Sequence, residues 1–438
     1  MSDAINLSEP GVAEEEAEAA YDAFVLKHLP RNYAAHYVHG MLGMTGFRLF
    51  NAPTFMPAYL HMISGGSNAI VGLGQALAQL GGVFSPIIGA AHIEHRKRVL
   101  PVAVVMGVSM RVQILGIALA GFVLTGVPLL ATVLLFLFLF GIFSGAQAVA
   151  FQLLLAKVIP TARRGRLQAI RNVTGGAIAA GLSWIAGHYL IENDVLGNGY
   201  GVTFLLAFGL TSLGLTALRM LMTEPEPPRV RPKTPFFTRI KDFPALLRED
   251  RGFLYFMIAQ TCAVTGRIAA PFYILYTQET IELTGVNLGY LSLAYLGADV
   301  ATNLAWGWLG DRFGFRSVFI GAMALWIGAT GLLMGADTLT LIIPAFFGLG
   351  AAASGFQMAT QTMVLEFGAR EDVAMRLALS GTAQGLMSTI GPLAGGVIAA
   401  AAGYLTLFGV SIAFEAIALI LLLTVVEEPR WRKAKSGL

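Results

Sequence analysis

Gly307-Trp308-Leu309-Gly310-Asp311-Arg312-Phe313-Gly314-Phe315-Arg316 is a short charged stretch set directly between two long apolar runs. Its three charges are too costly to leave in hydrocarbon, and its glycines let the backbone turn sharply. The stretch therefore reads as a hairpin at a membrane surface, joining two transmembrane helices.

Working outward, 56% of the 438 residues are hydrophobic and 13% are charged, against about 25% charged in soluble domains. At about 20 apolar residues per crossing, the chain accommodates roughly twelve helices and no separate soluble domain. The expected class is an all-α polytopic membrane protein, with apolar spans near 33–60, 68–91, 99–123, 128–158, 167–191, 200–222, 252–277, 286–309, 317–335, 338–366, 376–401 and 404–426. The single cysteine, Cys262, excludes an internal disulfide and a cysteine-built metal cluster. No phosphate-binding glycine loop, His-Glu-x-x-His helix or nucleophile elbow occurs, so neither an enzyme nor a cofactor or metal site is expected. The net charge of +3 comes with basic clusters confined to connections, which gives no reason to invoke nucleic acid.

Connections 61–67, 192–199, 278–285 and 336–337 contain no Lys or Arg, whereas 92–98, 162–166 and 312–316 are basic. By the positive-inside rule both termini are cytoplasmic, in a multi-pass protein of a cell (inner or plasma) membrane. The expected division is a cytoplasmic segment 1–32, a six-helix bundle 33–222, a cytoplasmic linker 223–251, a second bundle 252–426 and a tail 427–438. Within the first segment, 17–29 reads as a short helix on the inner surface or, equally, as a loosely ordered tail. The linker begins Glu224-Pro225-Glu226-Pro227-Pro228 and continues as an amphipathic stretch through Phe236, Phe237, Ile240, Phe243, Leu246 and Leu247.

An internal repeat supports two halves. A shift of 210 superposes Ser144, Gly145, Gln147, Arg166, Leu167 and Gly175 on Ser354, Gly355, Gln357, Arg376, Leu377 and Gly385. A shift of 218 superposes Ala52, Pro53, Gly89 and Arg98 on Ala270, Pro271, Gly307 and Arg316.

The order Gly-x-x-x-Asp-Arg-x-Gly-x-Arg at 307–316 resembles the signature loop of the major facilitator superfamily, found between helices 2 and 3 and again between helices 8 and 9. That resemblance implies two pseudo-symmetric six-helix bundles around a central cavity and transport by alternating access. It also implies that Asp311, Arg312 and Arg316 help hold the cytoplasmic side closed. In the first-half loop Gly89 and Arg98 are in place, but Ile93 holds the acidic position and Glu94 follows it. Glu94 and Arg98 are the gating candidates there, against a loop that only fixes topology.

Arg48 and Arg267 lie midway along the first and seventh spans, each followed closely by Ala-Pro. An arginine at the bilayer centre costs at least ~2.5 to 3.5 kcal/mol, so each calls for a counter-charge or an anionic ligand. A guanidinium suits bidentate binding of phosphate or carboxylate. The placement resembles organophosphate:phosphate antiporters, which carry one arginine on helix 1 and one on helix 7. The two positions are one step out of repeat register, and Asp299 or Glu415 is the alternative partner for Arg267. Further candidate substrate contacts are Gln147, Gln357 and Gln361, with Asn51 and Tyr273 added. Candidates for proton coupling are Asp299, Glu415 and His39. The expected partners are a small-molecule substrate, the lipid bilayer and a coupling ion, either a proton or a counter-anion.

The reading is a secondary transporter of a small solute, an organic anion being favoured. Gly391-Pro392 resembles the antiporter motif of drug exporters, so efflux of hydrophobic compounds is one alternative. A non-transporting receptor or a lipid scramblase on the same scaffold is another.

Overall fold

The computed structural model describes residues 10–93, 96–226, 247–248, 250–367 and 373–429. In chain order the helices are α1 (Pro10–Phe50), α2 (Phe55–Ile63), α3 (Asn68–Ile93), α4 (Leu100–Val123), α5 (Gly126–Val158), α6 (Thr161–Ile185), α7 (Gly199–Leu221), α8 (Arg251–Gly266), α9 (Tyr273–Thr277), α10 (Gly285–Phe313), α11 (Phe315–Met334), α12 (Leu339–Glu366) and α13 (Val373–Thr424). A π-helical turn, Ala186–Ile191, extends α6, and a 3₁₀ stretch, Arg267–Phe272, links α8 to α9. Gly403, with φ +82°, cuts α13 in two. Counting α1/α2 and α8/α9 as one crossing each gives twelve crossings among the described residues, six before the linker and six after it.

Seven of these helical stretches are long and apolar enough by themselves to cross a membrane. The crossings that fall short are α1/α2, α3, α6 and α10, and each faces the cavity or the seam between halves. There α3 packs on α13, and α6 packs on α10. Gln75, Gln79, Gln168, Arg171, Asp299 and Asn303 lower their hydropathy and serve that seam instead of lipid. On the outer faces Val123, Val127, Leu135, Leu304 and Ile420 are exposed, as a hydrocarbon solvent requires.

Two boundaries differ from expectation. The segment before residue 33 is not a separate surface helix, because α1 runs unbroken from Pro10 through Pro30. Tyr21 donates to the Lys157 carbonyl, and Asn32 exchanges two hydrogen bonds with the Thr223 backbone, which holds this extension against the bundle. The 307–316 stretch is not an open hairpin, because Gly307, Gly310 and Asp311 remain in α10 and the turn is Gly314 alone. Its φ of +85° and the Glu428 carboxylate packed against its Cα admit no side chain. The amphipathic part of the linker lies outside the described residues apart from Leu247.

Prolines break the first and seventh crossings at related places. Pro53 follows the end of α1, and Pro271 sits inside the 3₁₀ stretch, each removing a backbone donor from the helical ladder. The far ends of the two halves are joined by hydrogen bonds: Thr54 to Ser292 at 2.5 Å, Tyr404 to Asn68 at 2.7 Å, and the Val286 amide to Glu192 at 3.0 Å. Gly72 lies so close to Pro392 and Gly396 that a Cβ would enter the Pro392 carbonyl. The halves are thus closed on the side away from the termini.

Candidate functional site

The main cavity, about 710 Å³, lies on the terminal side of that closure. It is lined by His39, Phe47, Arg48, Met110, Arg111, Ser144, Gln147, Phe151, Gln152, Gln168, Arg171, Asn172 and Gln357, among others. All of these except Gln357 belong to the N-terminal half. Three arginines contribute to the lining and no carboxylate does. Met44, Phe47, Met110 and Phe151 supply apolar wall.

Arg111 is 3% exposed, and its guanidinium donates to the Thr211 carbonyl at 2.8 Å and to the Gly107 carbonyl at 2.6 Å. Backbone carbonyls fix its plane but neutralise no charge. Arg171 is 8% exposed; its Nε has no partner, and its Cζ lies 4.9 Å from the Phe151 ring centroid. His36 and His39 pack on the same ring, each at 5.0 Å. Both nitrogens of His36 and Nδ1 of His39 lack partners. Gly40 makes room for this cluster, since a Cβ there would collide with the Arg171 guanidinium.

Arg48 reaches the cavity wall but is not free. Its Nη1 lies 2.8 Å from Asp299 Oδ2, an ion pair joining α1 to α10 and so one half to the other. The alternative in which Asp299 neutralises Arg267 is therefore not what the structure shows, because Asp299 is engaged by Arg48. Arg267 instead stacks over Trp326 and Phe356, at 5.4 and 5.2 Å. It lines a second, smaller pocket of about 140 Å³ with Asn51, Gln75, Gln79 and Ser388. The two arginines therefore do not line one cavity.

Of the remaining expected contacts, Gln147 and Gln357 meet in the main cavity, and Asn51 lies in the second pocket with its amide donating to the Phe47 carbonyl. Gln361 is exposed and lines neither. Tyr273 is buried in the C-terminal half, where its hydroxyl pairs with Thr330 and accepts from Trp326 Nε1, so it is a packing residue. Ser354 accepts from Asn303 and donates to the Asp299 carbonyl, tying α12 to α10. His39 is in the cavity, whereas Glu415 is wholly buried behind α8, with Ser411 on Oε1 and no partner on Oε2.

Among the residues expected to gate, Asp311 is exposed and makes no described contact, while Arg312 lies over the Trp308 and Phe313 rings. Arg316 donates to the Leu422 and Leu423 carbonyls at the end of the last crossing. Glu94 lies outside the described residues. Arg98 pairs with Glu226 at 3.0 Å between exposed side chains. Two carboxylates absent from the expected set hold helix starts on the same side of the protein. Glu224 accepts from the Val99 and Leu100 amides at the start of α4, and Glu428 accepts from the Arg316 amide at the start of α11. The signal was a third repeat, Glu224-Pro225 against Glu428-Pro429, at a shift of 204.

Residues 256–438 match the family model described as the Major Facilitator Superfamily. The structure is similar to that of a D-xylose–proton symporter, with TM-score 0.71 and 13% identity over 92% of this chain and 99% of that one. It is also similar to a nucleoside transporter, NupG, in a point-mutant form, with TM-score 0.68 and 12% identity over 90% of this chain and 100% of that one. No curated protein matches the chain by sequence.

Proposed function

We propose that this major facilitator superfamily protein is a secondary transporter of a small organic anion with an apolar body, which binds in the main cavity. The observation that carries the reading is a lining with three arginines, four glutamines and no carboxylate. The anionic group is seated by Arg171 and by the guanidinium edge of Arg111 that its carbonyl partners leave unused. The glutamine amides orient its polar substituents, and Phe47, Phe151 and Met110 cover its apolar part. A cation has no counter-charge in this lining, which sets the drug-efflux alternative behind.

Coupling to movement runs through Arg48. An anion in the cavity competes with Asp299 for that guanidinium, and release of Asp299 removes an ion pair holding α1 to α10. With the positive-inside orientation, the cavity faces the cytoplasm and the closed end faces outward. Asp311 then meets its partners only when the terminal side closes, which accords with its exposed position here.

Uptake into proteoliposomes of a panel of aromatic and aliphatic carboxylates, phosphate esters and amines tests this. Saturable exchange of a carboxylate or phosphate ester is expected, and Arg171→Gln abolishes it. Exchange of amines with no anion competition would overturn the reading.

A further inference from the structure

The second pocket is a place apart from the main cavity. It draws on both halves: Asn51, Pro53, Pro57, Gln75 and Gln79 from the first, and Val264, Arg267, Ile268, Pro271, Ser388 and Pro392 among those from the second. Its donors are unused. Arg267 Nε has no hydrogen-bond partner, and the side chains of Gln75, Gln79 and Ser388 make no hydrogen bond with other described residues. No described carboxylate comes within ion-pair distance of Arg267. Glu415 acts on it only from behind the α8 backbone, where its carbon chain packs on Gly266. The guanidinium carbon lies 5.4 Å from the Trp326 ring centroid and 5.2 Å from that of Phe356. Rings of this kind tolerate a cation but leave its in-plane donors unsatisfied.

We infer that this pocket binds a small monovalent inorganic anion of the halide or nitrate class, separately from the organic anion of the main cavity. The charge balance is one: a single guanidinium, with amide and hydroxyl donors around it and no acid in the lining. The size agrees, because 140 Å³ holds about four or five waters at roughly 30 Å³ each, hence a bare halide with part of its shell. The walls come from α1 to α3 on one side and from the 3₁₀ stretch and α13 on the other, so the site is complete only while the far side is closed. Anion binding consequently favours the conformer with the cavity open on the terminal side.

The test uses purified full-length protein in detergent, with bromide replacing sulfate at constant ionic strength, read as thermal unfolding and as bromide anomalous scattering from crystals. A saturable rise in unfolding temperature is expected for the wild type and for Arg171→Gln, with an anomalous peak beside Arg267. Arg267→Gln weakens bromide binding by roughly tenfold or more, as loss of a charged hydrogen-bond donor implies. Because that variant removes an intramembrane charge, Gln79→Leu is measured beside it and should weaken binding while keeping Arg267. No bromide effect in the wild type, or an effect unchanged in both Arg267→Gln and Gln79→Leu, overturns the inference. That outcome would leave the organic-anion reading standing, whereas loss of exchange in the panel experiment would leave this site untouched.

Discussion

Replacing Asp299 by Asn separates a binding role of Arg48 from a structural one. The contact is 2.8 Å, and the side chains are 20% and 24% exposed. At an effective dielectric of about 20 the gross attraction at this distance is about 6 kcal/mol. Most of it is offset by desolvation and by ordering of two side chains, and the pair borders a water-accessible cavity. The net coupling therefore falls between the exposed limit, about 1 kcal/mol or less, and the buried one, about 3 to 5 kcal/mol, and about 1 to 2 kcal/mol is the working figure. Asn keeps the shape and removes the competitor, so Arg48 is left free for ligand. Organic-anion affinity should rise about 5- to 30-fold on that free energy, while turnover falls because Arg48 is no longer handed back. Isothermal titration on purified protein and counterflow in proteoliposomes measure the two. The double variant Arg48→Gln, Asp299→Asn should lose the affinity gain, and the cycle of four proteins gives the coupling directly. Unchanged affinity in Asp299→Asn would refute the competition, leaving a pair that only ties α1 to α10.

Arg171→Lys should retain part of the organic-anion binding and Arg171→Gln almost none, since the lysine keeps charge without the fork; equal loss in both would make the site a matter of packing at Gly40. Gly314→Ala should destabilise by about 1 to 3 kcal/mol because its positive-φ, extended-ψ backbone is one that glycine alone readily adopts, with more from the crowded Glu428 carboxylate, and chemical denaturation reads it. Glu224→Gln removes the charge that caps α4 and pairs with Lys157 at 3.0 Å; a drop in stability of about 1 kcal/mol is expected, against almost none for Arg98→Gln, whose pair with Glu226 is exposed.

The architecture was legible because hydrophobic runs, basic connections and repeated breakers all report the same periodic scaffold. The shift of 218 that aligned Ala52-Pro53 with Ala270-Pro271 marked the two places where crossings are broken. Side-chain chemistry was less legible where it depends on contacts between halves. Arg48 and Asp299 are 251 positions apart, and nothing local marks them as partners. Arg171 was hidden twice. It follows the Arg163, Arg164 and Arg166 cluster, which reads as a loop, and the repeat shift of 210 takes it to Gly381. The spacing of Gln168, Arg171 and Asn172 on one helical face was the available signal.

The separation of Arg48 and Arg267 follows from their one-step offset in the repeat. A single residue turns a helix by about 100°, so a side chain one place out of register cannot project in the equivalent direction. Arg48 precedes the break in its crossing and stays on regular α-helix, facing the cavity and Asp299. Arg267 begins the 3₁₀ stretch after Gly266, where the tighter winding turns it further, onto Trp326 and Phe356. The duplication has thus kept the proline breaks in register while the charges beside them have moved apart. Two matched arginines in the sequence accordingly come to two dissimilar surroundings: one paired with a carboxylate across the seam, the other set against aromatic rings beneath the closed end.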